Sequence, residues 1–398
     1  MTKPWPTVRL GEVLKPVERA EAPIAGTTYR QIGVKLWGEG AYEREPMDGS
    51  ATKYSQLFRA EAEDVIVNKI WARNGSVAVV PQKLAGCYGS GEFPMFAPKR
   101  DRLDSKWIHW LTKTRGFWAQ CDQKSQGTSG KNRIKPEQFL RVEIPLPPLA
   151  EQGRVVARIE ELAAQVHEAR TLRQQAAEEA EALTSSAQSA LSHPETANQI
   201  SVEALVGENG LRNGKSVKST GVESGVRCLT LSAMRSGRIG IRDSKPLPMS
   251  NAEAAPFQVR RGDVYVVRGN GSKHLCGRAG LITEEMAGVV FPDLFIQVAV
   301  PKDRVLPEFF VAAWNSSATR SVIEEKAKTT SGIWKVNQGH ILSTRTPVPP
   351  LPEQCRIVSE LDTLQAEVDA LKRLQAETAG ELDALLPATL DRAFKGGL

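Results

Sequence analysis

The sequence is poor in the residues that most often carry chemistry. It holds five cysteines and five histidines in 398 residues. Cys87, Cys121, Cys228, Cys276 and Cys355 never form a Cys-x-x-Cys pair, which argues against a cysteine-rich zinc site and fits thiols kept reduced in a cytoplasm. The histidines are scattered, with no metal-ligand spacing. No apolar run approaches the ~18 residues of a membrane span. The opening stretch, Met1 to Pro6, lacks the apolar core of a secretory leader, so a cytoplasmic protein with no membrane contact is expected.

What is present is charge, arranged in blocks. The whole chain is +6, residues 1–150 are +7 and residues 151–200 are −4. Residues 201–350 are again +7 and residues 351–398 again −4. Two basic blocks suit a polyanion such as a phosphate backbone, and the acidic blocks should avoid it.

The alternation has a cause: the chain repeats once. Thr128-Ser129-Gly130 recurs as Thr330-Ser331-Gly332, 202 residues later. At the same offset, Pro145-Leu146-Pro147-Pro148-Leu149-Ala150-Glu151-Gln152 matches Pro347-Val348-Pro349-Pro350-Leu351-Pro352-Glu353-Gln354. Upstream, Asp64-Val65-Ile66-Val67 resembles Asp263-Val264-Tyr265-Val266. Each copy is a globular unit of mixed strands and helices followed by a tail. Strand-like runs are Asp64 to Val67, Ser76 to Val80, Val264 to Val267 and Leu294 to Val300, and apolar helices are expected over Trp107 to Trp118 and Glu308 to Asn315. Trp107, Trp110 and Trp118 read as core.

The tails read as long helices. Prolines stand at the entry, where a missing N–H costs least, and a carboxylate follows in the first turn. Heptad spacing runs Ile159, Leu162, Val166, Ala169, then Ala176, Ala180, Leu183, Ala187, broken by Arg173. The second runs Leu361, Leu364, Val368, Leu371, then Thr378, Leu382, Leu385, broken by Gln375. The first helix should span Leu149 to Leu191, ending before His193-Pro194, which is about 65 Å at ~1.5 Å per residue. Pro387 is expected to kink or shorten the second.

Catalytic motifs do not emerge. Asn209 to Ser216 approaches a phosphate-binding loop, but its first glycine is displaced and no Val- and Ile-rich strand precedes it; it reads as a basic turn facing nucleic acid. Asp293, Glu324 and Lys326 mimic a nuclease carboxylate–lysine set. However, Glu92 takes the place of Asp293 in the other copy, and Glu324 and Lys326 fit a solvated helix turn. Gly269-x-Gly271 is too short for a dinucleotide fingerprint, and no Asn- or Asp-Pro-Pro-aromatic methyltransferase motif occurs.

The stretch from Pro145 to Leu162 and its copy from Pro347 resemble the conserved regions of type I restriction–modification specificity subunits. So do Trp5-Pro6-x-Val8-x-Leu10-Gly11-Glu12, Leu211 to Ser216 and both Thr-Ser-Gly turns. The resemblance covers essentially the whole chain. It implies two α/β target recognition domains (1–146 and 196–346) and two helical spacers (147–195 and 347–398) packed antiparallel, related by an internal pseudo-two-fold repeat. It also implies a non-catalytic chain without its own cofactor. Its partners would be a bipartite double-stranded DNA site and two modification subunits, which bring S-adenosylmethionine and adenine-N6 chemistry. Restriction subunits using ATP and magnesium would be optional further partners. The competing reading is a coiled-coil scaffold that binds nucleic acid or protein without sequence choice.

Arg and Asn reach base edges bidentately, while Lys mostly meets phosphate. Candidate DNA contacts in the first unit are Lys69, Arg73, Asn74, Lys124, Lys131, Asn132 and Arg133, all in Gly- or Ser-containing turns. Their counterparts are Arg268, Asn270, Lys273, His274, Lys326, Lys328 and Lys335. His274 reads as a polar loop residue rather than a metal ligand. Leu149, Ile159, Leu162, Val166, Leu351, Leu361, Leu364 and Val368 are expected to form the helix seam or a partner surface.

Overall fold

The computed structural model describes residues 5–126, 132–194, 197–216, 226–240, 242–330 and 332–398. The chain divides into two compact units, Met1–Arg173 with Ala376–Leu398, and Gln174–Gln375. Both divisions fall inside the long helices Leu149–Leu191 and Leu351–Phe394, at the polar breaks Arg173 and Gln375. Each helix therefore contributes a segment to each unit.

The first unit opens with strand Thr7–Arg9, which pairs antiparallel with Glu143–Pro145. The short helix Leu10–Val13 follows, its Arg9 N–H held by Glu12 Oε1 at 2.9 Å. A four-stranded sheet orders Leu14–Val17, Met95–Pro98, Val65–Val67 and Val77–Val79. A five-stranded sheet includes the hairpin Thr28–Val34 and Ala41–Asp48. Asp64 closes the turn into Val65–Val67: its buried carboxylate takes the Arg19 guanidinium at 2.6 Å and the Glu61 N–H at 2.8 Å. The core gathers Phe96, Trp107, Phe139, Val155, Val156 and Ile159 with Leu390 and Ala393 from the second long helix. Phe394 meets Trp107 edge-on at 4.8 Å.

The second unit repeats the plan. Strand Asn198–Ser201 pairs antiparallel with Arg345–Val348, and helix Val202–Val206 follows, capped by Ser201. A six-stranded sheet contains Leu211–Asn213, Phe295–Val298, Val264–Val267 and Ala279–Ile282 in that order. Asp263 closes its turn by accepting from the Arg260 N–H at 2.9 Å and the Tyr265 hydroxyl at 3.0 Å. Helix Pro307–Asn315 buries Phe309, Phe310 and Trp314, with Ile357 of the second long helix in the same core.

The repeated Pro-Pro-Leu-x-Glu-Gln has one explanation in both units. Gln152 and Gln354 are fully buried. Gln152 donates to the carbonyls of Arg102 (2.9 Å) and Pro147 (2.8 Å) and accepts from the Asp104 N–H at 2.9 Å. Gln354 does the same with Arg304 (3.0 Å), Pro349 (2.7 Å) and the Leu306 N–H at 2.8 Å. A buried amide that satisfies three backbone groups fixes where each helix starts on its unit.

The first long helix has the expected bounds, Leu149–Leu191. Within the first unit the two helices run antiparallel: Arg154 reaches the Leu398 carbonyl, Arg170 pairs with Asp383 at 2.8 Å, and Arg173 donates to Thr378 at 3.0 Å. Within the second, Lys372 pairs with Glu181 at 2.5 Å.

Burial along the long helices is uneven, and two expectations about helices are corrected. The heptad rows are not buried throughout: Ile159 and Val368 are, and Leu162, Val166, Leu351, Leu361 and Leu364 are half-buried. Leu183 and Leu385 face solvent at 63% and 50% exposure. Leu149 is also exposed, since it begins the helix with no preceding turn to cover it; burial passes to Val155, Val156 and Ile159. The stretch Trp107 to Trp118 is two helices, Ser105–Leu111 and Arg115–Gln123, because the Thr114 hydroxyl caps a new start through the Phe117 N–H. Trp107 is fully buried, and Trp110 and Trp118 pack against the same core, as expected. Pro387 sits inside a helix that continues to Phe394, so it does not end it.

Candidate nucleic-acid interface

In the first unit, strand Val65–Val67 runs into Asn68, whose Oδ1 accepts from the N–H groups of Ile70 (3.0 Å) and Trp71 (3.3 Å). A single 3-10 turn, Ala72–Asn74, follows and ends on Gly75 at φ +78°. Only glycine fits there: a Cβ would stand 2.7 Å from the Trp118 ring. The turn holds Lys69, Arg73 and Asn74 half-buried. The Lys69 carbonyl accepts from the Ile134 N–H at 2.9 Å, and its own N–H donates to the Glu92 carbonyl at 3.1 Å. Arg133 lies beside it, 3.5 Å from Glu92 Oε1, with its backbone bonded both ways to Gln126. Lys69, Asn132 and Arg133 thus share one place, next to the turn bearing Arg73 and Asn74. Lys124 caps the helix Arg115–Gln123 two residues before Gln126. Lys131 and the turn Thr128-Ser129-Gly130 lie outside the described residues.

The second unit builds the same exit. Strand Val264–Val267 runs into Arg268, whose carbonyl accepts from the Val336 N–H at 2.9 Å and whose N–H donates to the Leu294 carbonyl at 2.8 Å. Val336 lies 202 residues beyond Ile134, so the repeat reaches into the site itself. A three-stranded ribbon of Gly269–Asn270, Ile333–Lys335 and Lys328–Thr330 adjoins it. Asn270 Oδ1 accepts from the Ser272 N–H, and the Lys273 ammonium lies 5.2 Å from the centre of the Trp334 ring. Lys328 stands directly opposite Lys335, both exposed. Like charges opposite one another on a ribbon cost stability, and a bound anion relieves that cost.

Two candidates are placed differently. Lys326 donates to the Ser343 (2.9 Å) and Thr344 (3.2 Å) hydroxyls, and burial lowers its pKa. Its ammonium is tied to the end of the helix Gln338–Leu342 and does not serve the ribbon. His274 is exposed, 3.4 Å from Glu324, whose other oxygen binds Arg320 at 3.2 Å. Glu324 and Lys326 therefore have separate partners, and among the described residues no hydrogen bond or ion pair joins either of them to Asp293. Among the described residues no group of three His, Cys, Asp or Glu could hold a metal ion. The stretch Asn209 to Ser216 is built around a strand rather than a turn, with Arg212 and Asn213 exposed. Leu211–Asn213 is a sheet strand paired with Phe295–Val298, and a Cβ on Gly214 would meet the Pro292 carbonyl at 2.1 Å. The segment is ordered by the sheet rather than by a ligand.

Sequence reasoning missed the apolar residues at these sites. Trp37 and Trp71 are 58% and 44% exposed in the first unit, and Leu275, Leu294 and Ile333 are similarly exposed in the second. Trp37 had a legible signal: an aromatic beside two glycines, Gly38 and Gly40, between two strand-like runs.

Residues 2–176 match the family model of the type I restriction modification DNA specificity domain. Over 308 residues the chain is 28% identical to the type I restriction enzyme EcoKI specificity subunit of Escherichia coli strain K12, covering 74% of this chain and 66% of that protein. The match thus spans just under two thirds of the relative's length. Two solved structures share the fold. One, from work on complex assembly and conformational transition of the type I R-M system, has a TM-score of 0.71 at 22% identity, covering 100% of this chain and 99% of the other. The HsdS subunit of Thermoanaerobacter tengcongensis has a TM-score of 0.59 at 23% identity, covering 99% and 97%. With its doubled helix starts and its paired basic strand exits, the chain resembles the type I restriction–modification specificity subunits, and residues 2–176 match the DNA specificity domain of that family.

Proposed function

We propose that this chain reads a bipartite duplex DNA site, one half with each unit, as the non-catalytic recognition subunit of a type I restriction–modification complex. The observation that carries this reading is the duplicated strand exit at Lys69 and Arg268, each bonded through its carbonyl to the equivalent loop and each beside an Asn and further cations. Two copies of one basic, Asn-bearing loop in one chain suit two half-sites. Base edges in the major groove give the sequence choice, and Lys contacts to phosphate give position. Two modest half-site readers on one chain gain affinity through effective concentration when both halves are correctly spaced.

In this reading the long helices set the spacing and receive two modification subunits, which supply S-adenosylmethionine and methylate adenine N6. Restriction subunits, with ATP and magnesium, join the same assembly. The work is done in the cytoplasm, where the DNA is. The deciding experiment is co-expression with the modification subunit followed by sequencing for methylated adenines. One bipartite motif that vanishes when this chain is deleted is the expected result. Methylation indifferent to the chain would leave the scaffold reading in its place.

A further inference from the structure

We infer that Trp37 is a DNA-contacting residue of the first unit, its indole stacking on a base at a step that opens to receive it. The inference rests on the interface reading above and adds a contact that charge and hydrogen bonding do not supply.

Trp37 stands in the loop joining strands Thr28–Val34 and Ala41–Asp48. Its φ is +58°, in the left-handed region that bulky side chains rarely occupy. Such strain persists only where the surroundings enforce it, and here they do. The Trp37 N–H donates to the Asn74 carbonyl at 2.7 Å, and the Gly38 N–H to the Gly75 carbonyl at 3.1 Å. The loop is therefore bolted to the turn that carries Arg73 and Asn74. The ring leans on Trp118, with centroids 6.0 Å apart and planes at 60°. Trp118 is itself fixed: its indole N–H donates to the Thr112 carbonyl at 2.7 Å. The result is an aromatic ring on a rigid mount, more than half exposed, with cations on the adjoining turn.

The fold itself does not require a tryptophan there. In the second unit, Ser236 at φ +47° and Gly237 at φ +76° close a hairpin between Met234–Arg235 and Arg238–Ile239. The offset of 199 residues from Trp37 and Gly38 is the one that relates Lys69 to Arg268. A small polar side chain suffices at that left-handed position. A tryptophan placed there exposes apolar area to water and bears the steric cost of the conformation, with limited burial in return. Contact with an apolar surface of a polyanion accounts for both, and the stacked face of a nucleobase is such a surface. Aromatic side chains that enter base steps do so best at flexible pyrimidine–purine steps. The first half-site should contain such a step, while the second unit, with Ser236, reads without one.

The test uses the full chain with its modification subunits and a duplex carrying the motif found by methylation sequencing. 2-Aminopurine is placed in turn along the first half-site. Trp37→Ser copies the second unit, so the melting temperature should hold. Affinity should fall about 5- to 150-fold, the range of a lost aromatic–base stack. The slope of affinity against salt should not change, because no phosphate contact is lost. Trp37→Phe should recover most of the affinity. The wild type should change 2-aminopurine emission at one step, and Trp37→Ser should not. Should Trp37→Ser unfold, Trp37→Leu replaces it, keeping apolar bulk without the stacking face, with the same losses expected. Wild-type affinity and emission in the serine or leucine variant, while Arg73→Ala weakens binding and flattens the salt slope, would overturn the role of Trp37 and leave the interface standing. If Arg73→Ala is also silent, the interface reading falls together with the inference.

Discussion

At the residue scale, the two buried glutamines and the two differently placed lysines make opposite demands. Gln152 and Gln354 touch only their own unit's backbone, so Gln152→Ala or Gln354→Ala leaves an orphaned buried N–H and two carbonyls. Each should cost about 2–4 kcal/mol in urea unfolding, since an unsatisfied buried polar group costs roughly 1–3 kcal/mol. Neither should alter which bases are read. Lys335 and Lys326 should separate in a salt titration of DNA affinity. Lys335→Ala should reduce the slope by about 1, whereas Lys326→Ala, having no phosphate to lose, should leave it unchanged. An unchanged slope for both would remove the ribbon from the interface. The glutamine was visible in the sequence only as half of a repeated Glu-Gln. Its hydrogen-bond partners near Arg102 and Arg304 lie about 50 residues upstream, beyond what spacing reveals. Lys326 was misplaced for the same reason: its partners, Ser343 and Thr344, come from a later helix end.

At the element scale, the long helices were legible because local rules govern their ends. The Pro-Pro entry and His193-Pro194 bracket Leu149–Leu191, and no distant contact was needed to read them. The seam was less legible, because heptad spacing says which residues share a face but not what covers that face. Leu172 and Leu183 on the first helix, and Leu374 and Leu385 on the second, are all 50% exposed or more, and the two pairs are again 202 residues apart. In the proposed assembly these leucines belong to the modification subunits. Leu183→Lys with Leu385→Lys should leave the melting temperature of the free chain within a few degrees, because surface changes usually stay within about 0.5 kcal/mol. Co-purification with the modification subunit should drop sharply. Undiminished co-purification would place the docking surface elsewhere. The exposed ion pairs Arg170–Asp383 and Lys372–Glu181 are each worth no more than about 1 kcal/mol and fix alignment rather than stability. One short element was misread where tertiary contact overrides local pattern. Leu211–Asn213 is a strand because Phe295–Val298 pairs with it, although the run Asn213-Gly214-Lys215 at its end suggests a turn.

At the scale of the whole molecule, alternating charge and duplication carry the functional reading. If the helices set the spacing of the half-sites, inserting about four residues into both, roughly one helical turn, should change the number of unread base pairs between them. Methylated-adenine sequencing should then return the same two half-sites with a different gap. Altered half-sites would mean that the helices shape the reading loops instead. The division of the chain has a further consequence for how it is made. The first unit is discontinuous: Leu390 and Ala393 lie in its core, and Phe394 lies against Trp107. The second unit is drawn wholly from Gln174–Gln375. During synthesis Met1–Arg173 must therefore wait, with part of its apolar core uncovered, while the unit Gln174–Gln375 acquires all of its own residues. The unit Gln174–Gln375 can finish folding first, and the helical turns bearing Leu390 and Ala393, which emerge after it, close the unit to which Met1–Arg173 belongs.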